Sequence, residues 1–131
     1  LEQGSEFVLQ CLENMWGGEL FVPKIPSYRI IDVAEAIAPE AKHEIVGIRP
    51  GEKLHEEMIT VNDAINTVEF EDYFVITPDS EYLSWDQEMF INDSNGSKGK
   101  YCEDGFSYNS GTNEQFLSVD ELRELIEKQN L

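Results

Sequence analysis

Chain breakers constrain this sequence most. Gly17-Gly18, Pro23, Pro26, Pro39, Pro50-Gly51 and Pro78 punctuate its first 78 residues. Proline fixes φ and lacks an amide donor, and the residue before it avoids the helical region. Only short elements fit between these stops. Residues 2–16 read as a helix, because Phe7, Val8, Cys11, Leu12, Met15 and Trp16 form an apolar stripe at helical spacing. Gly17-Gly18 ends it, since glycine tolerates a left-handed C′ position. Glu19–Val22 is aromatic and β-branched and reads as a strand. Pro23 and Pro26 then hold Lys24-Ile25 in a stiff, extended turn. Ser27 is the expected cap of a helix from Ile30 to Ala38, closed by Pro39. His43–Gly47 is predicted as a strand leading into the turn Arg49-Pro50-Gly51-Glu52. Leu54–Ile59 fits a helical turn or a short strand equally well, Asp63–Asn66 reads as one turn of helix, and Glu69–Thr77 as a strand. Residues 92–101, polar and glycine-rich, read as a mobile loop. Ser118 and Glu121 form a capping box before a helix bearing Leu122, Leu125 and Ile126 on one face. There is no internal repeat. This order of elements predicts a small α/β or α+β unit.

The 131 residues make room for one domain or two small lobes. At 40% hydrophobic and 11% aromatic, the chain can bury a core and is no disordered tail. No apolar run approaches the roughly 18 residues of a membrane-spanning helix. The net charge is −18, which opposes nucleic acid and anionic membranes as partners. The acidity itself reads as solubility. It is unevenly placed. Residues 54–97 carry eleven acids and no Lys or Arg, whereas 24–53 balance Lys24, Arg29, Lys42, Arg49 and Lys53 against five acids. An anionic ligand belongs in that neutral window, unless the cations cluster there by chance. Cys11 and Cys102 form no CxxC and lack zinc spacing, so they read as reduced thiols in a cytoplasmic protein. The chain begins at Leu1 rather than Met, so the lack of a visible targeting segment says little.

The strongest local chemistry is in Gly47-Ile48-Arg49-Pro50-Gly51-Glu52-Lys53-Leu54-His55-Glu56. An arginine can grip a diphosphate through two parallel hydrogen bonds. A Pro-Gly turn would bring Glu52 back beside Arg49, where its carboxylate can accept from a ribose diol. The same four letters equally describe a turn with a local Arg–Glu ion pair. His55 with Glu52, Glu56 and Glu57 lacks the second His of HExxH and reads as a solvated helix face rather than a metal site. His43 reads as strand surface. No serine lies in a nucleophile elbow, and no tyrosine is followed four residues later by lysine. Gly17-Gly18 precedes a strand, the wrong order for a dinucleotide fingerprint. No catalytic, cofactor-binding or metal-ligating residue is assigned to this chain.

Gly17-Gly18-Glu19-Leu20-Phe21-Val22-Pro23-Lys24-Ile25-Pro26-Ser27, with Ile31–Ile37 and the Ile45–Glu56 stretch, closely resembles the C-terminal part of inverting UDP-N-acetylglucosamine 4,6-dehydratases. Phe106–Asn113 and Leu117–Leu122 resemble the tail of that family, which belongs to the extended short-chain dehydrogenase/reductases. The resemblance covers nearly the whole chain and is weakest over 79–101. It implies the substrate-binding lobe of a two-part enzyme that serves surface polysaccharide, capsule or pseudaminic acid synthesis. In the family a separate Rossmann domain binds NADP and carries the catalytic groups. The sugar is oxidised at C4, loses a proton from C5 and water across C5–C6, and regains the hydride at C6, with C5 inverted. By resemblance Arg49 holds the diphosphate and Glu52 the ribose, while Lys24 and Ser27 lie in the loop facing the nucleotide. The expected partners are a UDP-sugar and the Rossmann domain. A lobe parted from that domain exposes an apolar patch, and self-association through it is one expected outcome. The same lobe in a UDP-sugar epimerase, or a stand-alone module without chemistry, remain open alternatives.

Overall fold

Tyr73-Phe74-Val75-Ile76 is an uninterrupted apolar run, and such a run needs cover on both faces of its sheet. The computed structural model, which describes residues 2–78 and 86–128, supplies both. Its elements are α1 (Glu2–Asn14), β1 (Leu20–Pro23), α2 (Ile30–Ile37), β2 (Glu57–Ile59), β3 (Thr67–Glu69), β4 (Tyr73–Ile76), β5 (Lys100–Tyr101), β6 (Tyr108–Asn109) and α3 (Val119–Lys128). Short 3-10 turns cover Ala64–Asn66 and Gln87–Ile91. The chain forms two units, one from residues 1–24 and 58–108, the other from 25–57 and 109–131. The fold is a small mixed α/β arrangement with antiparallel sheets, as the order of elements predicts.

In the first unit, four strands pair in the order β1-β4-β3-β5, every neighbour antiparallel. Side chains alternate along a strand, so Tyr73 and Val75 share one face and Phe74 and Ile76 the other. The first face packs with Val68, Phe70, Phe21, Tyr101 and Phe7 of α1. The second packs with Val22, Ile59, Cys102, Phe106 and Tyr108. Tyr73 sits at the centre of an aromatic cluster, with its ring centroid 4.9 Å from Phe70 and 5.4 Å from Phe21. Pro23 closes β1, an edge strand where a missing amide costs little.

Several expectations need correction. Glu69 does not begin the strand through Thr77. It ends β3, and Glu71-Asp72 form the tip of a hairpin closed by the Phe70 amide donating to the Tyr73 carbonyl at 2.9 Å. Two adjacent carboxylates inside an apolar run were the turn signal. In the open stretch 54–59 the last three residues, Glu57–Ile59, form β2, which pairs with β6. His43–Gly47 forms no strand. Ile45 is 88% exposed and Val46 81%, and an apolar alternation without a ladder partner leaves its amides and carbonyls to water instead of to a neighbouring strand. Ser27 does not cap α2. Arg29 occupies that position, without a side-chain cap bond, because the helix starts three residues after Ser27.

Residues 92–101 hold specific partners in the first unit. Asp93, 6% exposed, accepts the Tyr73 hydroxyl at 2.9 Å and the amides of Asn95 and Ser97. Ser94 donates its hydroxyl to the Glu13 carbonyl and its amide to that of Asn14, at the end of α1. Lys100 and Tyr101 form β5. The segment 79–85 lies outside the described residues.

The second unit pairs α2 with α3. The predicted capping box is present: the Ser118 hydroxyl and amide both donate to Glu121, at 2.7 and 2.8 Å, and the Glu121 amide returns to Ser118 Oγ. Leu122 is the buried residue of α3. Among the described residues, no helix is long and apolar enough to cross a membrane.

Candidate functional site

Arg49, Pro50, Gly51 and Glu52 form the tight turn that their types demand. The Glu52 amide donates to the Arg49 carbonyl at 3.1 Å, and Gly51 at the third position has φ of +87°. Proline second and a positive φ third define a type II turn. The turn returns Glu52 onto Arg49. One carboxylate oxygen accepts the Arg49 amide at 2.8 Å, and the other lies 3.8 Å from Nε. The local ion pair is therefore real. It is also loose and solvated, with the Arg49 side chain 81% exposed, and such a pair contributes at most about 1 kcal/mol. Among the described residues the two terminal guanidinium nitrogens have no acceptor, so the fork that suits a phosphate faces solvent.

Ser27 and Lys24 are placed differently. Ser27 lies in the second unit with Arg49 and Glu52, and Lys24 in the first. The backbone of Ser27 bridges the 115–117 segment: its amide donates to the Gln115 carbonyl and its carbonyl accepts the Leu117 amide, both at 2.8 Å. Its hydroxyl oxygen accepts from Asn113 Nδ2 at 3.0 Å. The Lys24 ammonium is already engaged. It lies 2.8 Å from Glu69 and 4.9 Å above the Phe74 ring, and its amide is bonded to Asp72. Arg29, also in the positive window, meets Asp32 and the Phe116 ring. Two of the five window cations, Lys24 and Arg29, thus serve local structure. His55 does not lie on the expected helix, and its ring packs on Gly111.

A cleft of about 370 Å³ opens in the first unit beside Glu69, Lys100, Cys102, Asp104 and Phe106. Its thiol is no nucleophile. Burial, helped by the Glu69 charge, pushes Cys102 up to about 11, so it stays protonated at neutral pH. Cys11 is likewise raised by burial. Among the described residues, no group of three or more His, Cys, Asp and Glu side chains is placed to hold a metal ion. Gly17-Gly18 lead from α1 into β1, so they do not build a dinucleotide cradle at a helix N-terminus.

Residues 1–78 match the family of polysaccharide biosynthesis proteins. This chain belongs to that family. An inverting UDP-N-acetylglucosamine 4,6-dehydratase from Campylobacter jejuni subsp. jejuni serotype O:2 is 49% identical over 126 residues, 96% of this chain. The chain spans 37% of the length of that relative. A UDP-glucose 4-epimerase from Rickettsia massiliae is 28% identical over 130 residues, covering 96% of this chain and 36% of the epimerase. In three dimensions the chain resembles Pen from Bacillus thuringiensis, with a TM-score of 0.69 at 26% identity over 98% of this chain and 37% of Pen.

What the sequence reading lacked was the polar strap at residues 109–113. Asn113 and Ser110 hold the segments on which Ser27 and Glu56 lie. The signal was present, as five small or amide residues in a row, but its partners are more than fifty positions away.

Proposed function

We propose that this polysaccharide biosynthesis family member is the UDP-sugar-binding C-terminal portion of an inverting UDP-N-acetylglucosamine 4,6-dehydratase acting in the cytoplasm. The observation that carries the reading is the 49% identity to the Campylobacter dehydratase along 96% of the chain. The Arg49–Glu52 turn supports it, with an exposed guanidinium fork for the diphosphate and a carboxylate for the ribose. Ser27 contributes a hydroxyl and Lys24 a positive charge from the loop that, by resemblance, faces the nucleotide. NADP and the proton- and hydride-transferring groups belong to the Rossmann portion of the enzyme. Residues described here take no step of that chemistry.

The test is UDP binding by the 131-residue chain. Weak binding is expected. Arg49→Ala should reduce it by about 1.5–3 kcal/mol, the weight of a charge-assisted hydrogen bond. No binding at millimolar UDP would sink the reading.

The 28% identity to the Rickettsia epimerase favours a second reading, the same lobe in a UDP-sugar epimerase. Incubating the full-length protein with NADP and UDP-N-acetylglucosamine separates the two. A dehydratase yields a product lighter by one water, and an epimerase yields an isomer of unchanged mass.

A further inference from the structure

Asn109-Ser110-Gly111-Thr112-Asn113 runs as a strap between two loops of the second unit. Ser110 exchanges two bonds with Glu56: its amide donates to the Glu56 carbonyl at 2.8 Å, and its hydroxyl accepts the Glu56 amide at 3.0 Å. The strap passes so close to His55 that a Cβ on Gly111 would lie 2.8 Å from the imidazole, and only glycine fits without displacing the ring. Farther along, Asn113 Nδ2 donates to the Ile25 carbonyl at 2.8 Å and to the Ser27 hydroxyl oxygen at 3.0 Å. Ser110 and Asn113 are three residues apart, so at most about 11 Å of chain separates these two anchor points.

The orientation of the Asn113 amide is determined by its surroundings. Its Oδ1 accepts the Gln115 amide at 3.2 Å. Turned over, it would set oxygen against the Ile25 carbonyl and NH2 against an N–H. The donor therefore faces Ser27, and the Ser27 oxygen must accept. A hydroxyl that accepts from a neighbour keeps its own proton for another acceptor. Among the described residues, nothing takes that proton.

We propose that Asn113 is a positioning residue for the nucleotide site: it holds Ser27 as a hydrogen-bond donor to the diphosphate oxygens of the ligand. This rests on the UDP-sugar reading above. Asn113 touches no ligand itself. An acceptor-only side chain at 113 would reverse the hydroxyl and remove the donor from the site.

UDP and uridine are titrated by NMR into the 131-residue chain and into Ser27→Ala, Asn113→Asp, the double variant and Arg49→Ala. Ser27→Ala and Asn113→Asp should each weaken UDP binding by about three- to tenfold, with uridine unchanged. The double variant should be no weaker than the poorer single one, because both remove the same bond. Losses that multiply, or equal losses for uridine, would overturn the proposal. So would UDP affinity unchanged by Ser27→Ala while Arg49→Ala abolishes it, and that result leaves the UDP-sugar reading standing. Absence of UDP binding by the unsubstituted chain overturns both. If Asn113→Asp does not fold, the ratio of UDP to uridine affinity in Ser27→Ala decides alone.

Discussion

Tyr73 donates its hydroxyl to Asp93 in the interior of the first unit, where the two residues are 5% and 6% exposed. Tyr73→Phe keeps the ring stacking and removes the donor. Asp93 retains the amides of Asn95 and Ser97, so the expected loss is about 1–3 kcal/mol in urea unfolding rather than collapse. Burial first, and then Asp93, raise the Tyr73 pKa far above its ordinary value of 10.0. A raised folded pKa means that the folded chain holds its proton more tightly than the unfolded one. That stability is full below pH 10 and is lost as pH rises above it. Tyr73→Phe should therefore lose less Tm than the parent between pH 9 and 11, and parallel curves would refute this.

At the scale of elements, α3 depends on its first turn. The Ser118 hydroxyl, followed by its amide, lowers the Glu121 pKa from 4.5. A depressed carboxyl stabilises the fold where it is ionised, and the contribution disappears as pH falls through the folded value. Ser118→Ala should lower Tm by roughly 3–5 °C at pH 7, and the gap should shrink in acid. A gap constant from pH 7 to pH 3 would contradict the assignment. The register of β3 against β5 rests on Gly99. A Cβ there would lie 2.5 Å from Val68 Cγ1 and 2.9 Å from the Glu69 carbonyl. Gly99→Ala should cost about 1–3 kcal/mol, the usual penalty of overpacking, in the same urea measurement.

The whole molecule leaves much apolar surface in water. In the first unit Val8, Leu9 and Leu12 of α1 are about 60% exposed, although Phe7 of the same helix packs on the sheet. In the second, Ile45, Val46 and Leu54 are each more than 80% exposed. Apolar patches of this kind favour association in water. Sedimentation velocity on the 131-residue chain should show self-association that grows with concentration, and Leu9→Glu with Leu12→Glu should reduce it. A monomer at all concentrations would be the contrary result.

The sequence by itself determined the elements whose signals are local. Breakers and helical spacing placed α1 and α2, the Ser118–Glu121 box placed α3, and Pro50-Gly51 set the turn that joins Arg49 to Glu52. These features depend on backbone conformations that a few neighbouring side chains dictate. Tertiary structure decided what depends on pairing. It gave β5 and β6 ladder partners, denied one to 43–47, used Glu71-Asp72 to split one apolar run into two strands, and drew Ser27 to Asn113 rather than to a helix cap. A strand or a side-chain hydrogen bond exists only when its partner arrives, and here those partners lie up to 88 residues away along the chain.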